Sequence, residues 1–201
     1  MKKYNLEFCF KGSRTYVQGP DIFDAVLVQI NENFAQEEIT DIKYSAYEML
    51  LANATVFFTK DFCKDDFDKI NSIITFKVNN EKITAVVVEN SNKITCSNDY
   101  SEEIVRSNSS INSKEIVFKN TKNDSLTEII VSMNKYYLQE TVAKDGKWIV
   151  TKFEYMNLTD IQDIDNKELK LELTNNFNNK LTKSKILVDS ILVGYLYFSL
   201  I

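Results

Sequence analysis

The chain has 201 residues, of which 44% are hydrophobic, and its formal net charge is −5 at pH 7. This length allows one large domain or two domains of roughly 100 residues each. The basic residues are scattered and form no basic face along the chain, so we expect no nucleic-acid partner. The sequence contains no histidine, which excludes Ser-His-Asp and Cys-His catalysis and His-ligated zinc.

The cysteine content predicts neither a disulfide framework nor a metal site. Three cysteines, Cys9, Cys63 and Cys96, are present, and an odd number at wide spacing is typical of free thiols in a reducing compartment. The acidic run at 61–68 lacks the glycine turn of a calcium loop. We therefore expect a cytoplasmic protein without a metal or cofactor.

Neither end of the chain predicts a membrane segment. The N-terminal lysines are followed by Glu7 and Lys11, which interrupt the apolar run that a signal peptide needs. The apolar segment 186–201 is short for a helix that crosses a bilayer, and it contains Asp189. We expect strands there rather than a membrane tail.

The first half of the chain predicts one strand, one helix and then four strands. Leu6, Phe8 and Phe10 alternate as in a strand, and apolar residues then recur at helical spacing. The helix opens at Gly19 and Pro20, and proline is favourable at a first helical position. The runs at 41–50, 54–60, 71–79 and 82–90 follow as strands.

The second half repeats this layout. A short strand contains Ile116 and Phe118, and a helix opens with the capping box "SLTE" at Ser125 to Glu128. The strand-like runs that follow are 148–157, 167–173, 182–188 and 191–200.

Similar segments recur at a nearly constant offset, which predicts a duplicated unit. "FKG" at 10–12 matches "FKN" at 118–120, an offset of 108, and the segments 76–90 and 186–200 match at an offset of 110. A third pair, near Lys43 and Lys152, has an offset of 109. The predicted organisation is one unit at 1–90, a polar linker at 91–114 with one short helix near 102–106, and a second unit at 115–201.

One strand, one long helix and several antiparallel strands, present twice, resemble the hotdog fold. The resemblance implies an α+β double hotdog, with two long helices each wrapped by a largely antiparallel sheet. Hotdog enzymes act on acyl thioesters of coenzyme A or acyl carrier protein, so such a thioester is the implied partner. Homo-oligomers through hotdog faces are also implied.

The segment "CFKGSRTYVQGPDIFDAVLVQ" at 9–29 resembles the "GHFPGxPVMPGVLxxEAMAQ" pattern of β-hydroxyacyl-carrier-protein dehydratases. Asp24 falls at the family's helical acid and Cys9 at its histidine. The resemblance thereby implies catalytic roles for both residues. A thiol is a poor substitute for the histidine, and the positions that would face these residues from the second unit hold no acid–base partner.

The segment "VQGP" at 17–20 is similar to the "V-H-G-G" element of another hotdog thioesterase type. That resemblance implies that Gln18 and the N–H of Gly19 polarise the thioester carbonyl at a helix N-terminus. Arg14 and Tyr16 would hold the phosphate or pantetheine of the carrier. The family acid lies nine residues after the histidine, where this chain has Leu27, so Asp24 is the nearest candidate base.

These residues also have simpler explanations. Gly19 and Pro20 suit any turn into a helix, and an acid such as Asp24 is favourable near a helix start. Arg14 is explained by a surface ion pair and Cys9 by an inert, half-buried thiol. The leading prediction is thioesterase-like or dehydratase-like chemistry. The alternatives are a catalytically silent hotdog that binds an acyl chain or a partner protein, and a structural subunit.

Overall fold

The computed structural model describes residues 1–119, 125–143, 145–162 and 164–201. It divides the chain into two compact units, Met1–Ser101 and Glu102–Ile201. The division falls inside the segment 91–114 that the sequence analysis assigns to a linker. The "FKN" match extends to Asn120, which lies outside the described residues.

Unit 1 contains one long helix and seven strands. Its elements are β1 (Lys2–Leu6), β2 (Phe10–Lys11), α1 (Gly19–Phe34), β3 (Ile39–Ala46), β4 (Ala54–Thr59), β5 (Ser72–Val78), β6 (Glu81–Glu89) and β7 (Ser97–Asn98), with a 3₁₀ turn at Lys64–Asp66. Five strands form an antiparallel sheet in the order β1-β4-β6-β5-β3. The short strands β2 and β7 pair in parallel, apart from this sheet.

The apolar stripe of α1 forms the core of unit 1, as its periodicity predicts. Ile22, Phe23, Val26 and Ile30 are buried, and they recur at helical spacing on one face. The ring of Phe23 meets the ring of Tyr44 edge-on, with centroids 6.4 Å apart. Aromatic contacts of this kind fix α1 against the inner face of the sheet.

Unit 2 begins with short elements and then repeats the strand–helix–strand order. Its elements are α2 (Glu103–Ser107), β8 (Ser109–Ile111), β9 (Glu115–Lys119), α3 (Leu126–Thr141), β10 (Trp148–Asn157), β11 (Glu168–Phe177), β12 (Leu181–Val188) and β13 (Ile191–Leu200), with a 3₁₀ turn at Thr159–Ile161. The strands lie in the antiparallel order β8-β9-β11-β12-β13-β10.

Two local predictions in unit 2 are confirmed. The short helix α2 lies where the sequence analysis places one. The hydroxyl of Ser125 accepts a hydrogen bond from the backbone N–H of Glu128 at 3.4 Å, so α3 has the predicted cap.

The two units share their order of elements but differ in strand pairing. In unit 2, β11 pairs with β12, and β13 pairs with β10. In unit 1, β4 pairs with β6, and β5 pairs with β3. The β5–β6 hairpin is therefore inserted the other way round from its sequence counterpart β12–β13. The predicted order of elements is thus found in both units, and their strand pairing, for which the sequence made no prediction, differs.

Both of these hairpins use two-residue turns without glycine. Asn79 and Asn80 have φ angles of 49° and 68°, and Asp189 and Ser190 have φ angles of 48° and 68°. Positive φ at both central residues is the type I′ geometry, which matches the twist of the flanking strands. Asparagine and aspartate tolerate this region better than most residues, whereas serine does so at a cost in energy.

Candidate functional site

The entrance to α1 places Gln18 and Gly19 at a helix N-terminus. Gln18 is the N-cap residue, with extended backbone, and its side chain makes no capping hydrogen bond. The preceding residue, Val17, is held by a hydrogen bond from its N–H to the carbonyl of Leu50 at 2.9 Å. The Gln18 carboxamide is half-buried and makes no hydrogen bond within the described ranges, so a donor is available at this position.

Gly19 contributes one backbone donor and Pro20 contributes none. The first turn of a helix leaves its N–H groups without intrahelical partners, and the missing N–H of proline reduces their number. Asp21 also lies in this turn, and its carboxylate is paired with Lys11 at 2.7 Å. The donors of Gln18 and Gly19 are therefore adjacent and next to a neutralised acid.

Asp24 lies farther along α1 and does not line up with Gln18. Six helical residues correspond to a rise of about 9 Å and a rotation of roughly 120° from the starting face. The carboxylate is half-buried and already takes part in an interaction with another group. The helix alone therefore does not bring Asp24 and Gln18 to one reacting atom.

Arg14 and Lys11 lie against the ring of Tyr100. The Arg14 guanidinium is 4.6 Å from the ring centroid, and the Lys11 ammonium is 5.5 Å from it. Both distances are within the range of cation–π attraction. Tyr16 is half-buried and also engaged in an interaction. The loop before α1 thus holds the Arg14 and Lys11 side chains against one ring, and the Lys11 ammonium is also paired with Asp21.

Cys9 is not a thiol, which corrects two expectations from the sequence. It forms a disulfide with Cys96, and Cys63 is free and exposed. A disulfide sulfur has no proton to transfer, so Cys9 in this state cannot act as an acid or base. The expectation of a reducing, cytoplasmic compartment rested on three free thiols, and only Cys63 is free in the structure.

Among the described residues, no three histidine, cysteine, aspartate or glutamate side chains are grouped as a metal site would require. None of the helices in the described ranges has the length and apolar content needed to cross a membrane.

The structure resembles solved hotdog proteins over almost its whole length. The tesB protein of Mycobacterium avium subsp. paratuberculosis has a TM-score of 0.55 at 10% identity, with 99% of this chain and 93% of that chain covered. The chain has the hotdog fold. The dehydratase domain of PpsC from Mycobacterium tuberculosis, solved in complex with C12:1-CoA, is a second hotdog match. Its TM-score is 0.52 at 8% identity, with 99% of this chain and 92% of that chain covered.

A candidate thioesterase II from Thermobifida fusca is a third hotdog match, with a TM-score of 0.53 at 6% identity. This match covers 98% of the present chain and 92% of the Thermobifida fusca chain. The sequence itself matches no protein-family model, and no curated protein is significantly similar to it. At these identities the comparisons establish the fold and not the activity.

One buried polar residue of this hotdog chain was missed because the sequence analysis applied the thioesterase spacing to unit 1 only. The N-cap of α3 is Ser125, and nine residues after it comes Asn134. Asn134 is fully buried, whereas the same spacing from Gln18 reaches Leu27. The same count of nine residues from the start of α3 would have revealed Asn134. Its side chain is an uncharged amide, at the position where the thioesterase pattern has an acid.

Proposed function

We propose that this protein binds acyl thioesters of coenzyme A or acyl carrier protein, with the thioester carbonyl at the N-terminus of α1. The observation that supports this most directly is the Gln18 carboxamide, which is accessible and makes no hydrogen bond within the described ranges. The hotdog fold and the acyl-CoA bound by the PpsC domain support a thioester as the ligand class.

In this proposal Gln18 and the N–H of Gly19 donate to the carbonyl oxygen. The positive end of the α1 dipole adds to their attraction for a partial negative charge. Arg14 and Tyr16 bind the carrier. The Tyr100 ring orients the Arg14 guanidinium, and a planar guanidinium suits phosphate groups.

Binding is favoured over turnover by the chemistry of the described residues. The chain lacks histidine, and Cys9 is oxidised. Hydrolysis is the second candidate function, and the half-buried carboxylate of Asp24 is its base. In that case Asp24 would take a proton from a water molecule that attacks the thioester carbonyl. The C–S bond would then break, and the carrier thiolate would take that proton from Asp24 and leave as the thiol.

The proposal also includes a tandem double hotdog, in which the chain carries two hotdog repeats. Each unit would be one hotdog repeat, with α1 and α3 each wrapped by the sheet of its own unit. The repeated order of strand, helix and four strands supports this tandem arrangement. Hotdog faces would also allow the chain to form homo-oligomers.

The test is retention of ligand from a mixed panel of acyl-CoA and acyl-pantetheine thioesters, measured by mass spectrometry. We expect Gln18→Leu to weaken binding about five-fold, since it removes one hydrogen bond. Gln36→Leu is the matched control, because Gln36 is exposed beyond the end of α1. Equal losses in both variants, or no retention by the native protein, would contradict the proposal.

The same panel separates binding from hydrolysis. Retained thioester without products identifies a binding protein. Free acid that disappears in Asp24→Asn, while the thioester is still retained, identifies hydrolysis with Asp24 as the base. Turnover that persists in Asp24→Asn would exclude this role for Asp24.

A further inference from the structure

The interior of unit 2 contains a hydrogen-bonded pair of uncharged polar side chains. Asn134 of α3 and Ser184 of β12 are both fully buried, and the Ser184 hydroxyl donates to the Asn134 Oδ1 at 3.0 Å. The Asn134 Nδ2 is also buried, and no described group accepts a hydrogen bond from it. One end of this carboxamide is therefore left without a partner.

Rotating the carboxamide does not remove the problem. If the oxygen and nitrogen of Asn134 exchange places, Nδ2 can donate to the Ser184 hydroxyl, but Oδ1 then takes the unpartnered position. Either assignment leaves one strong hydrogen-bonding atom of Asn134 unsatisfied. The side chain of Asn134 therefore has one unsatisfied buried atom in both orientations of its carboxamide.

A second unsatisfied group lies on the same face of β12. Thr182 is two residues before Ser184, and both are buried in the alternating pattern of that strand. Two strand residues span about 7 Å. The Thr182 hydroxyl is buried and has no hydrogen-bond partner among the described residues. Unsatisfied atoms thus come both from the helix residue that Ser184 contacts and from the strand that carries Ser184.

The sequence counterparts of the hydrogen-bonded pair in unit 1 are apolar. The offset between the starts of α1 and α3 places Leu27 opposite Asn134, and the hairpin offset places Ile74 opposite Ser184. The same hairpin offset places Ser72, which is also buried, opposite Thr182. Because the hairpin of unit 1 is inserted the other way round, these counterparts do not occupy the same places in the two sheets. The pair of Asn134 and Ser184 therefore has no counterpart in the sequence of unit 1.

We propose that Asn134, Thr182 and Ser184 form a buried binding site for one water molecule in unit 2. Buried polar atoms almost always have partners, and an internal water usually makes about three hydrogen bonds. A water would accept from the Asn134 Nδ2 and donate to the hydroxyls of Thr182 and Ser184. These three side chains are uncharged, so they suit a neutral molecule that both donates and accepts, and not an ion.

Two measurements test this site without any assumption about the acyl ligand. Water relaxation dispersion counts the long-lived internal waters of the protein. Asn134→Leu, which copies the residue of unit 1, should lower that count by one, and an unchanged count would overturn the proposal. A high-resolution crystal structure should show one solvent peak within hydrogen-bond distance of Asn134 and Thr182, and a dry site would overturn it equally.

The stability of Thr182→Val provides an independent test, because the two side chains have nearly the same shape. With a bound water, the variant loses a hydrogen bond and its unfolding equilibrium constant should rise about five-fold. In a dry core the variant would remove an unsatisfied hydroxyl, and the constant would fall instead. Thr75→Val, at a half-exposed position in β5, controls for the strand preference of valine.

Discussion

Cys9 and Cys96 are joined by a disulfide although they are 87 positions apart in the chain, and their Cα atoms lie 4.8 Å apart. The disulfide ties the segment before α1 to the end of unit 1. Beside it, β2 and β7 contribute two backbone hydrogen bonds, from the N–H of Phe10 to Cys96 at 3.0 Å and from that of Gly12 to Asn98 at 2.8 Å. This link also keeps the segment that carries Tyr100 beside the Arg14 loop.

Removing this disulfide should destabilise unit 1. The double variant Cys9→Ser with Cys96→Ser releases a long loop in the unfolded chain, and we expect the free energy of unfolding to fall by about 4 kcal/mol. Urea unfolding without reductant measures the change. Cys63→Ser is the control, since Cys63 is exposed and free. Equal stability of the double variant and the native protein would show that the disulfide does not contribute.

Tyr44 should make the stability of unit 1 sensitive to alkaline pH. Burial raises the pKa of the Tyr44 phenol above its ordinary value of 10.0, and a contact with Ser72 only partly opposes this. The neutral phenol is favoured in the folded state. The contribution of the buried neutral phenol to the free energy of unfolding is therefore complete below the pKa that the phenol has in the unfolded chain. It is lost as the pH rises from that value through the folded-state pKa.

The measurement for Tyr44 is the free energy of unfolding in urea between pH 8 and pH 10.5, roughly bracketing the onset of phenol ionisation. Tyr44→Phe has no ionisable group, so its stability should fall less over this range. Tyr47→Phe is the control because Tyr47 is exposed. Parallel pH curves for the native protein and Tyr44→Phe would refute the prediction.

Gly194 is required for the pairing of β13 with β10. A Cβ atom at this position would lie 2.0 Å from the carbonyl oxygen of Glu154 and 3.2 Å from the Cα of Tyr155. Because both contacts are with backbone, the strands must separate to admit an alanine. We expect Gly194→Ala to lower the free energy of unfolding by about 3 kcal/mol, measured by urea unfolding. Ser199→Ala in the same strand should change it far less.

Ser190→Gly should stabilise the protein. Ser190 has a φ angle of 68°, a region that costs an L-residue roughly 1 kcal/mol and that glycine adopts freely. Thermal unfolding should show a higher midpoint for this variant. The same substitution at Ser110 in β8, where φ is negative, should lower the midpoint because glycine weakens a strand. An unchanged or lower midpoint for Ser190→Gly would contradict this account of the turn.

The sequence by itself determined the features that neighbouring residues specify. The starts of α1 and α3, the buried stripe of α1 and the runs that form most strands followed from proline, a capping serine and apolar periodicity. The order of elements followed as well, and it was enough to indicate the hotdog fold.

Only the tertiary structure decided which distant segments meet. The reversed hairpin in unit 1, the Cys9–Cys96 disulfide and the contact of Asn134 with Ser184 join residues far apart in the chain. The strand propensity of these residues is the same whether β5 or β6 lies beside β3. The residues around a cysteine likewise do not determine whether it forms a disulfide. Such contacts depend on how the whole core closes, because the energy of burial rewards the complete arrangement and not any single segment.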